Sequence, residues 1–128
     1  MALKPVYVLI KNLFFAEKIV KTAKMMGLEA RTYDSAERLI QSAREKEPAL
    51  VILDCEGSEK EAFQLLAQFR SDEWLSKIPR IGYLSGASQA LKREMRNVGC
   101  LQVYGKVEFT RELENLFGRY AHGVSYRL

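Results

Sequence analysis

Five short runs of apolar residues alternate along the chain with five longer segments in which apolar residues recur every three or four positions. Short runs rich in β-branched residues predict strands, and a period near 3.6 predicts amphipathic helices. The predicted strands are residues 6–10, 30–33, 50–54, 80–84 and 101–104. Five strand–helix units in strict alternation indicate a parallel sheet with helices on both faces and right-handed crossovers.

The run LVILD at residues 50–54 is the most informative of the five strands. Four apolar residues lead into Asp54, and a continuous apolar run is typical of a strand that is buried on both faces. Pro48 precedes the run, while Gly57 and Ser58 follow it and indicate a loop. Asp54 is therefore expected at the carboxyl end of the central strand, where open α/β sheets bind ligands.

The fold class follows from this alternation. We predict an α/β protein with a doubly wound, flavodoxin-like three-layer sandwich and the strand order 2-1-3-4-5. The ends of strands one, three, four and five then meet at one edge of the sheet. The polar residues expected there are Lys11, Asn12, Asp54, Ser85 and Lys106.

Two helix starts carry a recognisable pattern of polar residues. Asp34 with Glu37, and Ser58 with Glu61, have the three-residue spacing of a capping box. In that motif each side chain accepts a hydrogen bond from the other residue's backbone N–H. We therefore predict a capping box at each of these two helix starts, and Ser35, next to Asp34, is also a good N-cap residue.

Length and composition indicate one globular domain. The chain has 128 residues, of which 48% are hydrophobic and 28% charged. We assign residues 1–121 to the domain and residues 122–128 to a C-terminal tail or linker stub. The two cysteines, Cys55 and Cys100, and the single histidine match no metal-site or disulfide pattern.

Charge and hydropathy exclude several classes of partner. The net charge of +4 is modest and spread along the chain, so nucleic-acid binding is not expected. No apolar run approaches the ~20 residues of a membrane span, and the start lacks the pattern of a secretory signal. We therefore expect a cytoplasmic protein without a membrane partner.

The strand-end residues resemble the receiver domain of bacterial response regulators over about residues 6–120. The resemblance rests on "LVILD", "IGYLSGAS" and "GCLQVYGK", which end in or contain Asp54, Ser85 and Lys106. In that family the strand-three aspartate accepts a phosphoryl group, and the hydroxyl and lysine positions hold the phosphate. The resemblance therefore implies that Asp54 is the acceptor position and that Ser85 and Lys106 are the phosphate contacts.

The sequence departs from the family where the metal would bind. Phosphorylated members carry an acidic pair at the end of strand one that holds Mg²⁺ together with the acceptor aspartate, and here Lys11 and Asn12 take that place. Magnesium prefers hard oxygen ligands, usually including carboxylates. Without the metal, the charge that develops on a transferring phosphoryl group loses its main neutraliser. Other departures are Ser58 and Val107 where the family usually has proline, and Ala62 where it usually has glycine.

These departures predict a degenerate receiver, or pseudo-receiver, that binds no cofactor. In its cleft we expect Lys11 and Lys106 to pair with Asp54 in place of the cation, because a lysine at a buried strand end is costly unless it is paired.

The first functional hypothesis is a non-catalytic signalling module that works through protein–protein contact. Its partner would be a histidine kinase, an output module or a second copy of the chain. Its contact surface would be formed by helix four, strand five and helix five, including Arg93, Arg96, Tyr104 and Arg111.

Two alternatives stay open. The first is a working phosphoacceptor of a two-component system that is phosphorylated on Asp54 and uses Mg²⁺. The second is a small flavodoxin-like enzyme or nucleotide binder, although "GASQA" lacks the spacing of a phosphate-binding loop.

Overall fold

The computed structural model describes residues 3–86 and 88–122, and strands and helices alternate throughout them. The strands are β1 (Val6–Leu9), β2 (Ala30–Tyr33), β3 (Leu50–Asp54), β4 (Arg80–Leu84) and β5 (Gln102–Gly105). The helices are α1 (Leu13–Met25), α2 (Ala36–Glu45), α3 (Glu59–Ser71), α4 (Gln89–Asn97) and α5 (Lys106–Tyr120), and a 3₁₀ turn (Leu75–Lys77) precedes β4. The predicted tail lies outside the described residues, apart from His122.

The five strands form one sheet in the order β2-β1-β3-β4-β5, and each neighbouring pair is parallel. This confirms the predicted fold class and strand order. β3 is the central strand, with Ile52 level with Val8 of β1 and Ile81 of β4. All five residues of β3 are buried, as the continuous apolar run predicted.

Alternate residues of the strands pack into two separate apolar layers, since successive side chains of a strand point to opposite faces. Val51 and Leu53 pack among residues of α2 and α3, whereas Leu50 and Ile52 pack among residues of α1 and α5. By the same alternation Asp54 lies on the α1 and α5 side of the sheet. The site therefore opens between the first turns of these two helices.

Both predicted capping boxes are wrong. Of the two N-cap candidates for α2, Ser35 is confirmed and Asp34 is not: the Ser35 hydroxyl accepts the N–H of Arg38 at 3.2 Å. Ser58 makes no side-chain capping bond to α3. The Glu61 carboxylate instead accepts the N–H of Ala36 at 2.7 Å. Because α2 and α3 are neighbours on one face of the sheet, Glu61 satisfies a free N–H of the adjacent helix.

The described helices are too short or too polar to cross a lipid bilayer.

Gly82 allows the central strands to pack against two buried thiols. A Cβ atom at this position would lie 2.4 Å from the Sγ atom of Cys55 and 3.4 Å from the Sγ atom of Cys100. A hydrogen bond with the Cys100 thiol, together with burial, raises the pKa of Cys55. Both cysteines are therefore packing groups of the core and are free thiols in this structure.

We expect Gly82→Ala to lower the free energy of unfolding by about 1–3 kcal/mol, because the added methyl group overpacks the core. Urea denaturation measures the loss. Gly105→Ala is the matched control, since nothing lies within 4 Å of its Cβ position. Adding Cys55→Ala to Gly82→Ala should recover part of the loss, and an equal loss in the two glycine variants would contradict the packing explanation.

Candidate functional site

The carboxyl ends of four strands meet at one open cleft of about 410 Å³. All five polar residues predicted at this edge line it, and four further residues contribute to its walls. The lining residues are Lys11, Asn12, Phe15, Asp54, Glu56, Gly57, Tyr83, Ser85 and Lys106.

Asp54 ends β3 at the floor of the cleft and is only 7% exposed. Its Oδ1 atom accepts the N–H of Gly57 at 2.8 Å and the N–H of Glu56 at 3.2 Å. This is a local turn of the kind that aspartate favours, in which the side chain binds backbone groups two and three residues ahead. A Cβ atom at position 57 would lie 2.3 Å from Oδ2, so glycine is needed for the loop to pass this closely.

The predicted pairing of Lys11 and Lys106 with Asp54 is wrong. Among the described residues, none places a cationic nitrogen within 4.0 Å of the Asp54 carboxylate. The Lys106 ammonium instead lies over the Phe15 ring, 4.5 Å from its centroid, in a cation–π contact. Lys11 is exposed and Lys106 is half-exposed, so neither ammonium is forced to find a buried partner.

Glu56 was not expected in the cleft. Both oxygens of its carboxylate lie 3.1 Å from the backbone N of Gly86, whose N–H they accept. This contact joins the loop after β3 to the loop after β4. The sequence offered no signal for it, because the two residues are thirty positions apart and meet only when β3 and β4 pair.

Tyr83 was also missed. It lies beside Asp54 in the sheet and is 2% exposed, with its ring stacked on Phe109 at 4.8 Å and edge-on to Phe15 at 5.0 Å. Its hydroxyl has no hydrogen-bond partner among the described residues. Burial raises the pKa of Tyr83, and the charge of Asp54 raises it further. The phenol is therefore neutral at ordinary pH.

The cleft offers a cation two carboxylates, Asp54 and Glu56, and both already accept hydrogen bonds from backbone N–H groups. Magnesium takes octahedral oxygen ligands and is usually held by one or two carboxylates with waters and phosphate. Here the Glu56 carboxylate binds Gly86, and the Asn12 side-chain oxygen accepts the N–H of Phe15 at 3.1 Å as the cap of α1. Among the described residues, no three His, Cys, Asp or Glu side chains converge on a metal position.

The four residues predicted to form a contact surface lie away from the cleft. Arg93 and Arg96 are exposed on α4, and Arg111 is exposed on α5. Tyr104 in β5 is half-buried, and its ring is tilted against Phe109 at 6.4 Å. Tyr104 therefore belongs in part to the core layer and offers only part of its ring to a partner.

No protein-family model matches the sequence, and no curated protein matches it.

Solved structures resemble this fold closely despite low sequence identity. A response regulator from Hahella chejuensis has a TM-score of 0.78 at 15% identity, covering 91% of this chain and 94% of that one. The receiver domain of a sensor histidine kinase from Pseudomonas aeruginosa, with a magnesium ion coordinated in its active-site cleft, has a TM-score of 0.77 at 17% identity, covering 91% and 96%. A signal receiver domain of a two-component histidine kinase from Clostridium thermocellum has a TM-score of 0.75 at 16% identity, with the same coverage of 91% and 96%. The chain therefore has the receiver fold.

We expect Tyr83→Phe to raise the free energy of unfolding by about 1 kcal/mol, because a buried hydroxyl without a partner is costly. Urea denaturation at neutral pH measures the difference. Tyr7→Phe is the matched control and should be destabilising, since the Tyr7 hydroxyl donates to the carbonyl oxygen of Lys46 at 2.8 Å. A loss of stability in Tyr83→Phe would show that the hydroxyl has a partner in solution.

Proposed function

We propose that this chain is an atypical receiver domain of a two-component system that signals through protein–protein contact, without catalysis and without Mg²⁺-dependent phosphorylation of Asp54. The observation that carries the proposal is the composition of the cleft. Lys11 and Asn12 follow β1 and line the cleft. They supply an ammonium and an amide where a divalent ion would need carboxylates.

Electrostatics support this proposal. A phosphoryl group carries its charge on several oxygens, and its transfer relies on cations placed beside it. Lys11 and Lys106 supply two positive charges to the cleft, and Asp54 and Glu56 supply two negative charges. Two lysines can screen an anion, but they do not bridge the acceptor carboxylate and a phosphate as a shared metal ion does.

The proposed partners are a histidine kinase or an output domain. Two of the similar structures are receiver domains of histidine kinases, which supports this class of partner. The proposed contact surface is the edge formed by α4, β5 and α5, with Arg93, Arg96, Tyr104 and Arg111. It would also serve a homodimer, because β5 ends the sheet and pairs only with β4 among the described strands.

The exposure of three apolar side chains favours a second candidate contact surface, which we call the apolar rim. Leu13, Phe14 and Val107 are 82%, 90% and 76% exposed. Leu13 and Phe14 are the first two residues of α1, and Val107 is the second residue of α5, so each lies within three residues of a cleft lysine in the sequence. Exposed apolar side chains that cluster beside a cleft are typical of protein interaction sites. The apolar rim therefore competes with the α4–β5–α5 edge as the place where a partner binds.

We expect acetyl phosphate with Mg²⁺ to leave the intact mass of the protein unchanged, because the cleft lacks a metal site. The double variant Lys11→Asp/Asn12→Asp should gain a phosphoryl adduct, since it supplies two carboxylates, and aspartate still caps a helix as asparagine does. Adding Asp54→Asn should abolish that adduct. A stable adduct on Asp54 of the unmodified chain would favour the working phosphoacceptor instead.

We expect a photo-cross-linking residue to capture a protein partner in the source cells when it replaces Phe14 or Arg96, and not when it replaces Lys77. Lys77 is exposed in the 3₁₀ turn that precedes β4, at the amino ends of the strands and thus opposite the cleft, and it serves as the control. Capture through Phe14 alone identifies the apolar rim, and capture through Arg96 alone identifies the α4–β5–α5 edge. Equal labelling at all three positions would contradict a specific contact surface.

A further inference from the structure

We propose that Glu56 is an internal anionic ligand. Its carboxylate joins the loop after β3 to Gly86 in the loop after β4, a contact that we call the strap. The carboxylate thereby fills the position where an external oxyanion would bind Gly86. The proposal does not depend on whether Asp54 is phosphorylated.

The first support for this proposal is the geometry of the contact between Glu56 and Gly86. Both Glu56 oxygens lie 3.1 Å from the same backbone N atom, so the N–H of Gly86 is shared between them. A hydrogen bond from a backbone N–H to an ionised carboxylate is stronger than one between neutral groups. A Cβ atom at position 86 would lie 2.9 Å from Oε1 of Glu56, so a side chain there would require the carboxylate to shift.

The second support is the position of Glu56 in the chain, two residues after Asp54. Its backbone N–H donates to Asp54 at 3.2 Å, so the base of the side chain is held by the residue at the floor of the cleft. Its far end then reaches Gly86, which precedes α4 by three residues. Ser88 caps α4 by accepting the N–H of Leu91 at 3.1 Å. The strap therefore links the floor of the cleft to Gly86, three residues before α4 in the sequence.

The third support is the balance of charge in the cleft. Lys11 and Lys106 balance Asp54 and Glu56, and none of these four residues is in an ion pair among the described residues. Removing the Glu56 charge leaves the cleft with a net positive charge and a free N–H at Gly86. An oxyanion would then find two ammonium groups, the Ser85 hydroxyl and a backbone donor at one place. The chain's own carboxylate keeps such an ion out.

The first experiment measures amide hydrogen exchange by NMR in the full chain, comparing the wild type with Glu56→Ala and Glu56→Gln. The Gly86 amide should exchange about two- to tenfold faster in Glu56→Ala, which matches the usual net strength of one hydrogen bond. Glu56→Gln keeps an acceptor oxygen and should have a smaller effect. Glu59→Ala is the control, because Glu59 is exposed at the start of α3 and makes no contact with Gly86.

The second experiment titrates each protein with inorganic phosphate and follows the amide signals of Ser85, Gly86 and Lys106. Phosphate should bind Glu56→Ala about fivefold more tightly than the wild type, as expected when one like charge close to the anion is removed. Thermal unfolding of each variant checks that the fold is retained.

Two results would overturn the proposal. If Gly86 exchanges at the same rate in Glu56→Ala and in the wild type, the carboxylate does not hold the loop in solution. If phosphate binds Glu56→Ala no more tightly than it binds the wild type, or no more tightly than it binds the control Glu59→Ala, Glu56 does not exclude an anion from the cleft.

Discussion

The burial of β3 on both faces is the constraint on which the rest of the structure depends. Its apolar residues divide between the two helical layers, so α1 and α5 must cover one face while α2 and α3 cover the other. A strand covered in this way can end in a charged residue only where it leaves the sheet. Asp54 occupies that position, and the parallel pairing of β1, β4 and β5 brings the ends of those strands to the same edge.

The cleft at that edge is organised by carboxylates that bind backbone groups. Asp54 accepts two N–H groups of its own loop, and Glu56 accepts the N–H of Gly86 across the cleft. Both contacts hold the loops that surround the cleft. The lysines take no part in this network, because one covers an aromatic ring and the other stays exposed. The site is thus held together by chain-internal hydrogen bonds.

The receiver fold leaves two surfaces of different character for a partner. The residues of the proposed apolar rim lie within three residues of Lys11 or Lys106 in the sequence. The α4–β5–α5 edge is rich in arginine and is reached from the cleft through the loop that Glu56 holds.

The sequence by itself determined the fold and five of the nine residues that line the cleft. Apolar periodicity reports which residues are buried, and parallel strands must end at a common edge, so Lys11, Asn12, Asp54, Ser85 and Lys106 could be placed together before any contact was known. Tertiary structure alone decided which groups touch. The partners of Lys106, Glu56 and Glu61 lie on other elements, and a flexible charged side chain selects among several neighbours by differences of about 1 kcal/mol that sequence spacing does not encode.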